Sequence, residues 1–209
     1  LALGLPAATF YFVPRNPGKE RIILINGLTA LLSSALLFAL FCITIGPMFI
    51  PIWFGNPDLE RTIPWLALYG PATLILLFIS SALVSVGQAK TSAIFTAFFR
   101  IFMAFSVVLS VVIYASVNIS LSVQAMVCFA GSIIGIGFIW QATAKSGGAS
   151  ALPSFAGVNK QLKYAVPLGL GAMIEGMALA IAKVIVSLFC TTEEYAVFVN
   201  GAMEVPLIP

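Results

Sequence analysis

The chain has 209 residues, of which 61% are hydrophobic and 8% are charged, and its formal net charge is +3. Soluble domains contain about 45–50% apolar and about 25% charged residues, because their surfaces need polar cover. This composition excludes an ordinary soluble domain and indicates a protein whose solvent is lipid. Basic residues do not form a stripe interleaved with aromatic residues, so we expect no nucleic-acid partner.

Continuous apolar runs long enough to cross about 30 Å of hydrocarbon recur along the chain. They predict an all-α, polytopic transmembrane helix bundle, since a barrel would show short alternating segments instead. Residues 1–13 and 195–209 are incomplete spans, so we expect the chain to be a piece of a longer protein. Five complete spans are expected between them, at residues 22–45, 63–86, 91–116, 121–143 and 165–189.

Polar turns separate these spans. The short turns are predicted at residues 14–21, 53–61, 87–90, 117–120 and 191–194. Near the start of the second complete span, Trp65 and Tyr69 are expected to anchor the helix at the membrane interface. The longest polar segment, residues 145–163, is rich in glycine, serine and alanine. It is either a flexible connection between two helix bundles or an ordinary solvated loop.

The distribution of cations over the turns predicts the orientation of the protein. One set of alternate turns contains seven cations, and the other contains Arg61 with several carboxylates. Because positive loops stay in the cytoplasm, the first set is expected to be cytoplasmic. The seven cations are Arg15, Lys19, Arg21, Lys90, Lys145, Lys160 and Lys163.

Four ionisable residues lie within apolar spans: Arg100, Glu175, Lys183 and Glu204. A charge at the middle of the bilayer costs at least about 2.5–3.5 kcal/mol, so such residues usually face a cavity or a partner. We take them as candidates for a substrate or ion pathway, together with Asn200, which is four residues before Glu204 on the same helix face. The alternative for the two cations is that their long side chains reach the interface.

Gly131 and Gly135 form a GxxxG pattern on the fourth complete span. This pattern permits close helix approach, within the chain or in a dimer, and we interpret it as packing within the chain. The sequence shows no nucleophile elbow, phosphate loop or metal-ligand cluster. It also contains no histidine, so no catalytic residue, metal or other cofactor is expected.

Three stretches carry a family resemblance: YFVPRNPGKER, LKYAVPLGLGAM followed by KVIVSLF, and EEYAVFVNGAMEVPLI. They resemble polysaccharide flippases, the Wzx-like branch of the multidrug/oligosaccharidyl-lipid/polysaccharide exporter superfamily. The resemblance covers essentially the whole chain in order. On the family's map, the chain extends from the end of helix 2 to the start of helix 8.

The resemblance implies two helical lobes around a central cavity, with alternating access moving lipid-linked oligosaccharides across the cytoplasmic membrane. Residues 1–144 would be a partial N-terminal lobe, 145–163 the cytoplasmic linker, and 164–209 the start of the second lobe. Membrane lipids and a lipid-linked glycan would be the partners. Arg100 and Lys183 fit a cationic cavity, although Ala182 stands where the family often has an acidic residue.

Two alternatives remain open from the sequence. A drug or cation antiporter of the same superfamily would need a buried carboxylate for Na⁺ or H⁺ exchange, and Glu175 or Glu204 could supply it. A polytopic membrane enzyme of glycan assembly would need a long outer loop with arginine or histidine chemistry. This chain has no such loop, so we expect a transporter and not an enzyme.

Overall fold

The computed structural model of the protein describes residues 4–48, 57–114, 116–144, 152–191, 194, 197 and 198. A short 3-10 helix, Pro57–Thr62, precedes the third of six α-helices. The described residues contain no β-strand, so the expected all-α class is confirmed. In chain order, α1 to α6 are Leu5–Arg15, Glu20–Thr44, Ile63–Ser85, Ala89–Tyr114, Val117–Ala142 and Phe155–Phe189.

Helices α2 to α5 are each long and apolar enough to cross a membrane. A helix is the natural form for such segments because it satisfies its own backbone groups where no water is present. Hydroxyl side chains within the spans also need hydrogen-bond partners, and they find them in the backbone of their own helix. The hydroxyl groups of Thr29, Thr44 and Ser81 each donate to the carbonyl four residues earlier, at 2.7 to 3.2 Å.

Two predicted turns are wrong. Residues 117–120 form the first turn of α5. The residue before this helix, Ser116, has an extended backbone, so the chain changes direction there and the helix begins at Val117. The long polar segment also ends earlier than expected, since α6 begins at Phe155 and continues without a break past Lys163. Contacts with α2, described below, explain why this polar sequence is helical.

The centre of the bundle is α3, which packs against α1, α2, α4 and α5. Its side chains Phe78, Ile79, Ala82 and Leu83 are completely buried. The outward faces of the surrounding helices are apolar and exposed; Val112 on α4, for example, is 76% exposed. A protein in water would bury such faces, whereas lipid covers them in a membrane.

The beginning of α6 lies against α2. The side-chain oxygen of Asn26 on α2 accepts a hydrogen bond from the backbone N–H of Ser154, at 2.8 Å. The amide nitrogen of Gln161 donates to the carbonyl of Ile23, at 2.9 Å. Asn26 and Gln161 are both buried, so each contact satisfies a polar group that would otherwise be costly to bury.

Cations and aromatic rings meet at one end of the bundle, where α1 and α5 end and α2 and α6 begin. We call this the cationic end. By alternation of the helices, α3 also ends here, and α4 begins here at Ala89, followed by Lys90. The cation–ring pairs are Arg15 with Tyr11 at 3.7 Å, Arg21 with Trp140 at 4.0 Å, and Lys160 with Phe12 at 6.0 Å.

After α6, Thr191 and Glu194 form a capping box, the reciprocal pair that starts a helix. The Glu194 carboxylate accepts hydrogen bonds from both the backbone N–H and the hydroxyl of Thr191, each at 2.9 Å. These bonds favour the ionised form and lower the pKa of the Glu194 carboxyl. The predicted turn at residues 191–194 is therefore followed by helical residues, as at Val197 and Phe198.

Candidate functional site

Arg100 lies near the middle of α4, between its ends at Ala89 and Tyr114. The distance from Ala89 is roughly 16 Å at 1.5 Å per residue, which is about half of a 30 Å hydrocarbon layer. The side chain is exposed, and no carboxylate within the described ranges forms an ion pair with it. A guanidinium group at this depth either meets water or a polar ligand in the cavity or reaches the interface through its long side chain.

Arg100 lines a cavity of about 410 Å³ between α3, α4 and α5. Four hydroxyl-bearing residues share the lining with it, and the remaining lining side chains are apolar or sulfur-containing. No carboxylate lines the cavity in the part of the chain that the structure describes. The hydroxyl-bearing residues are Tyr69, Thr73, Ser80 and Thr96.

Two of these hydroxyls have partners within the bundle. The Thr73 hydroxyl donates to the carbonyl of Gly70 at 2.8 Å, and the Ser80 hydroxyl lies 3.1 Å from that of Ser92 on α4. By contrast, the hydroxyls of Tyr69 and Thr96 form no hydrogen bond with any described residue. They remain available to a ligand in the cavity.

Helix periodicity explains how these residues converge. Thr96 is four residues before Arg100, so the two lie on one face of α4. Tyr69 and Thr73 are related in the same way on α3, and Ser80 continues that face seven residues later. Two polar faces of neighbouring helices thus meet at one cavity.

Small residues on α5 bring the three helices together. A side chain at Gly131 would collide with the ring of Phe99, and one at Gly135 would approach Ile79 to 2.6 Å and Phe95 to 3.2 Å. The GxxxG face therefore packs against α3 and α4 within the chain. On the same face, the buried Ser132 hydroxyl lies 3.0 Å from the carbonyl of Ala72, which joins α5 to α3.

The cavity combines a positive charge with neutral hydrogen-bond donors. A guanidinium group can bind phosphate or carboxylate through two parallel hydrogen bonds, and the hydroxyl groups can donate to or accept from a polar ligand. The remaining lining is aromatic, aliphatic or sulfur-containing, so the rest of the cavity is apolar. This arrangement suits an anionic group carried on a larger, partly apolar molecule.

The other predicted pathway residues are not assembled with Arg100 in the described part of the chain. Glu175 and Lys183 lie on α6, and the positions of their side chains fall outside the described parts. Asn200 and Glu204 lie outside the described residues altogether. A shared pathway of these five residues stays a prediction.

The four hydroxyl-bearing lining residues were not predicted as site residues from the sequence. Tyr69 was expected to be an interface anchor, yet it lies on the cavity with Arg100. Thr73, Ser80 and Thr96 were not singled out, because isolated hydroxyls are common in spans and bond back to their own helix. Their spacing in the sequence could have identified them, because it places polar residues along one face of each helix.

Comparison of the chain with protein-family models, with curated proteins and with solved structures finds no significant match. The geometry of the Arg100 cavity therefore carries the functional interpretation.

Proposed function

We propose that this protein is a membrane transporter that flips lipid-linked oligosaccharide or polysaccharide precursors across the cytoplasmic membrane by alternating access. The observation that carries the proposal is the position of Arg100, halfway along a helix able to span the membrane and facing a cavity. A charge kept at that depth despite its cost is expected to serve a substrate path.

The chemistry of the cavity supports a phosphate-linked glycan as the substrate. Arg100 would bind a phosphate of the lipid linker, because a guanidinium group matches phosphate geometry better than an ammonium group does. The free hydroxyls of Tyr69 and Thr96 would bind sugar hydroxyls. In this proposal the protein is a carrier and not an enzyme, and the cationic end faces the cytoplasm.

Substitution of Arg100 tests the proposal. In a strain that lacks this protein, Arg100→Ala should lower the restored surface polysaccharide by roughly 10- to 100-fold, because a hydrogen-bonded charge contributes about 1.5–3 kcal/mol. Arg100→Lys should recover part of the activity, since it keeps the charge and loses the bidentate geometry. Activity is measured by complementation and normalised to the amount of protein in the membrane.

Arg61→Ala is the matched control, because Arg61 is also exposed but lies in the short 3-10 helix at the very start of its span, far from mid-membrane. It should retain full activity. Full activity of Arg100→Ala would contradict the proposal. If activity depended instead on Glu175 or Glu204 alone, the antiporter alternative would be favoured.

A further inference from the structure

The cavity around Arg100 is closed at its base and open along one side. Its base is formed on α5 by Cys128, which is 1% exposed. Two of its lining residues are exposed at the surface of the bundle: Leu77 on α3, at 55%, and Arg100 on α4. These two residues border the opening, so the cavity is entered sideways, between α3 and α4.

Among the described residues, α3 and α4 are hydrogen-bonded to each other only near the cationic end. The buried Ser92 hydroxyl donates to the carbonyl of Ser80 at 3.1 Å, and the two hydroxyl groups also lie 3.1 Å apart. Leu77 is roughly 4.5 Å farther from the cationic end, at 1.5 Å per residue. The opening therefore begins just beyond the point where the two helices are joined, within the thickness of the membrane.

The surface around the opening is apolar. Next to Arg100 on α4, Ile101 is 70% exposed, and Ala97 and Ala104 on the same face are also exposed. Together with Leu77 they form a rim that lipid covers in a membrane. A ligand that reaches Arg100 through this opening comes from the bilayer, so it is an amphiphile whose charged end enters the cavity.

The volume of the cavity limits what can enter it. About 410 Å³ holds about fourteen groups the size of a water molecule, at roughly 30 Å³ each, which is enough for a phosphate and a sugar ring. A long lipid chain does not fit in addition. Moving a chain from lipid into water is unfavourable by roughly fourfold per methylene group, so ten methylene groups amount to roughly a millionfold. A side opening removes this penalty, because the chain can stay in the bilayer.

We infer that the opening between α3 and α4 is the lateral entrance of the transporter. The phosphate end of the substrate passes Leu77 and binds Arg100, while the lipid chain remains in the bilayer outside the rim. This inference rests on the proposed function, since it takes a lipid-linked phosphate as the substrate. It also defines the specificity: the site recognises the phosphate and its first sugar, and it accepts lipid chains of different length.

Photo-crosslinking of the purified protein tests the entrance independently of transport. The probe is a polyprenyl phosphate that carries a diazirine on the isoprene unit nearest the phosphate. It should label α3 and α4 at the rim, near Leu77 and Ile101, and Arg100→Ala should lower this labelling about tenfold, as for the loss of a hydrogen-bonded charge. Excess farnesyl phosphate, which has a shorter chain, should abolish the labelling, whereas neutral farnesol should not. Labelling confined to other helices, or equal competition by farnesol, would overturn the inference.

Bulk at the rim tests the entrance in cells. Leu77→Trp places an indole across the opening and should lower the restored surface polysaccharide about tenfold, or about 1.4 kcal/mol in the barrier to entry. Leu77→Ala, which widens the opening, should keep full activity. Val84→Trp is the matched control and should also keep full activity, because Val84 is 39% exposed on the same face of α3 but does not line the cavity.

The two experiments separate failure of the entrance from failure of the proposed function. If Arg100→Ala loses transport while Leu77→Trp keeps it, the protein is a transporter whose substrate enters elsewhere, and the inference is wrong. An equal loss in Leu77→Trp and Val84→Trp would also overturn it. If the probe labels the rim but no substitution alters the surface polysaccharide, the lipid phosphate enters as inferred and the proposed function is wrong.

Discussion

At the scale of single residues, glycine decides how closely the helices around the candidate site can approach. Gly131 on α5 lies directly under the ring of Phe99, while a methyl group added at Gly137 on the same helix would have no neighbouring atom within 4 Å. Two glycines six residues apart therefore have opposite roles. The first permits packing, and the second only reduces the intrinsic stability of the helix.

Alanine substitution should separate these two roles. Gly131→Ala forces a methyl group against Phe99 and is expected to destabilise the protein by about 1–3 kcal/mol. Gly137→Ala meets no obstacle and should leave the stability unchanged or raise it by up to about 1 kcal/mol. Thermal unfolding of both purified variants in the same detergent measures the difference as a shift in Tm.

Phe99→Leu in the Gly131→Ala background should recover part of the lost stability, because the smaller side chain makes room for the methyl group. Equal Tm values for Gly131→Ala and Gly137→Ala would mean that α5 packs against α4 more loosely than the position of Phe99 indicates.

At the scale of helices, the start of α6 shows where local sequence and tertiary structure disagree. Residues 155–163 include Asn159, Lys160, Gln161 and Lys163, and this polar composition predicted a connection between helices. They are helical in the structure. The contact of Asn26 with Ser154 satisfies a backbone N–H at the helix start, where no group of the helix itself can do so.

Replacing Asn26 should loosen the first turn of α6. Asn26→Leu removes the acceptor for the Ser154 N–H and is expected to destabilise this end of the helix by about 1–2 kcal/mol, as for the loss of a helix cap. Hydrogen exchange of residues 155–161 should become about 5- to 30-fold faster, the factor that this free energy corresponds to. Exchange in α3, the central helix, should not change.

Asn159→Leu is the matched control. Asn159 is exposed on α6, and its side chain forms no hydrogen bond with any residue that the structure describes. In this variant, the hydrogen-exchange rates of residues 155–161 should equal those of the unsubstituted protein. Unchanged exchange at the start of α6 in Asn26→Leu would show that the helix begins at Phe155 without help from α2.

At the scale of the whole molecule, the spans were the most predictable feature. The expected spans at residues 22–45 and 63–86 agree with α2 and α3 to within two residues at each end, because lipid forces long apolar segments into helices. The start of α6 was less predictable, since its partners Asn26 and Ile23 lie more than 120 residues away. Arg100 was singled out from the sequence because charge is rare in spans, whereas the hydroxyls around it are ordinary there; that Arg100 lines a cavity is a finding of the structure, and its role in a substrate pathway stays a prediction.

The gathering of cations at one end of the bundle leads to a prediction about orientation. If that end faces the cytoplasm, as positive loops do, a cysteine at Ser154 should not react with a membrane-impermeant thiol reagent in intact cells. The variant Ser154→Cys is made after the three native cysteines have been replaced by alanine. Reaction should appear once the cells are permeabilised, because Ser154 is exposed.

A cysteine at Arg61, in the 3-10 helix at the opposite end, is the matched control and should react in intact cells. Labelling of Ser154→Cys in intact cells, with Arg61→Cys protected, would reverse the proposed orientation.

The docking of α6 on α2 also has a consequence for biosynthesis. The carbonyl of Ile23 and the side chain of Asn26 acquire their partners from residues 138 and 128 positions later in the chain. During synthesis, α2 to α5 are therefore inserted while Asn26 still lacks the group that covers it. Contacts between residues far apart in the sequence form more slowly than contacts between helices that follow each other in the chain. We therefore expect the newly made bundle to keep the Asn26 side chain and the Ile23 carbonyl uncovered until α6 packs against α2.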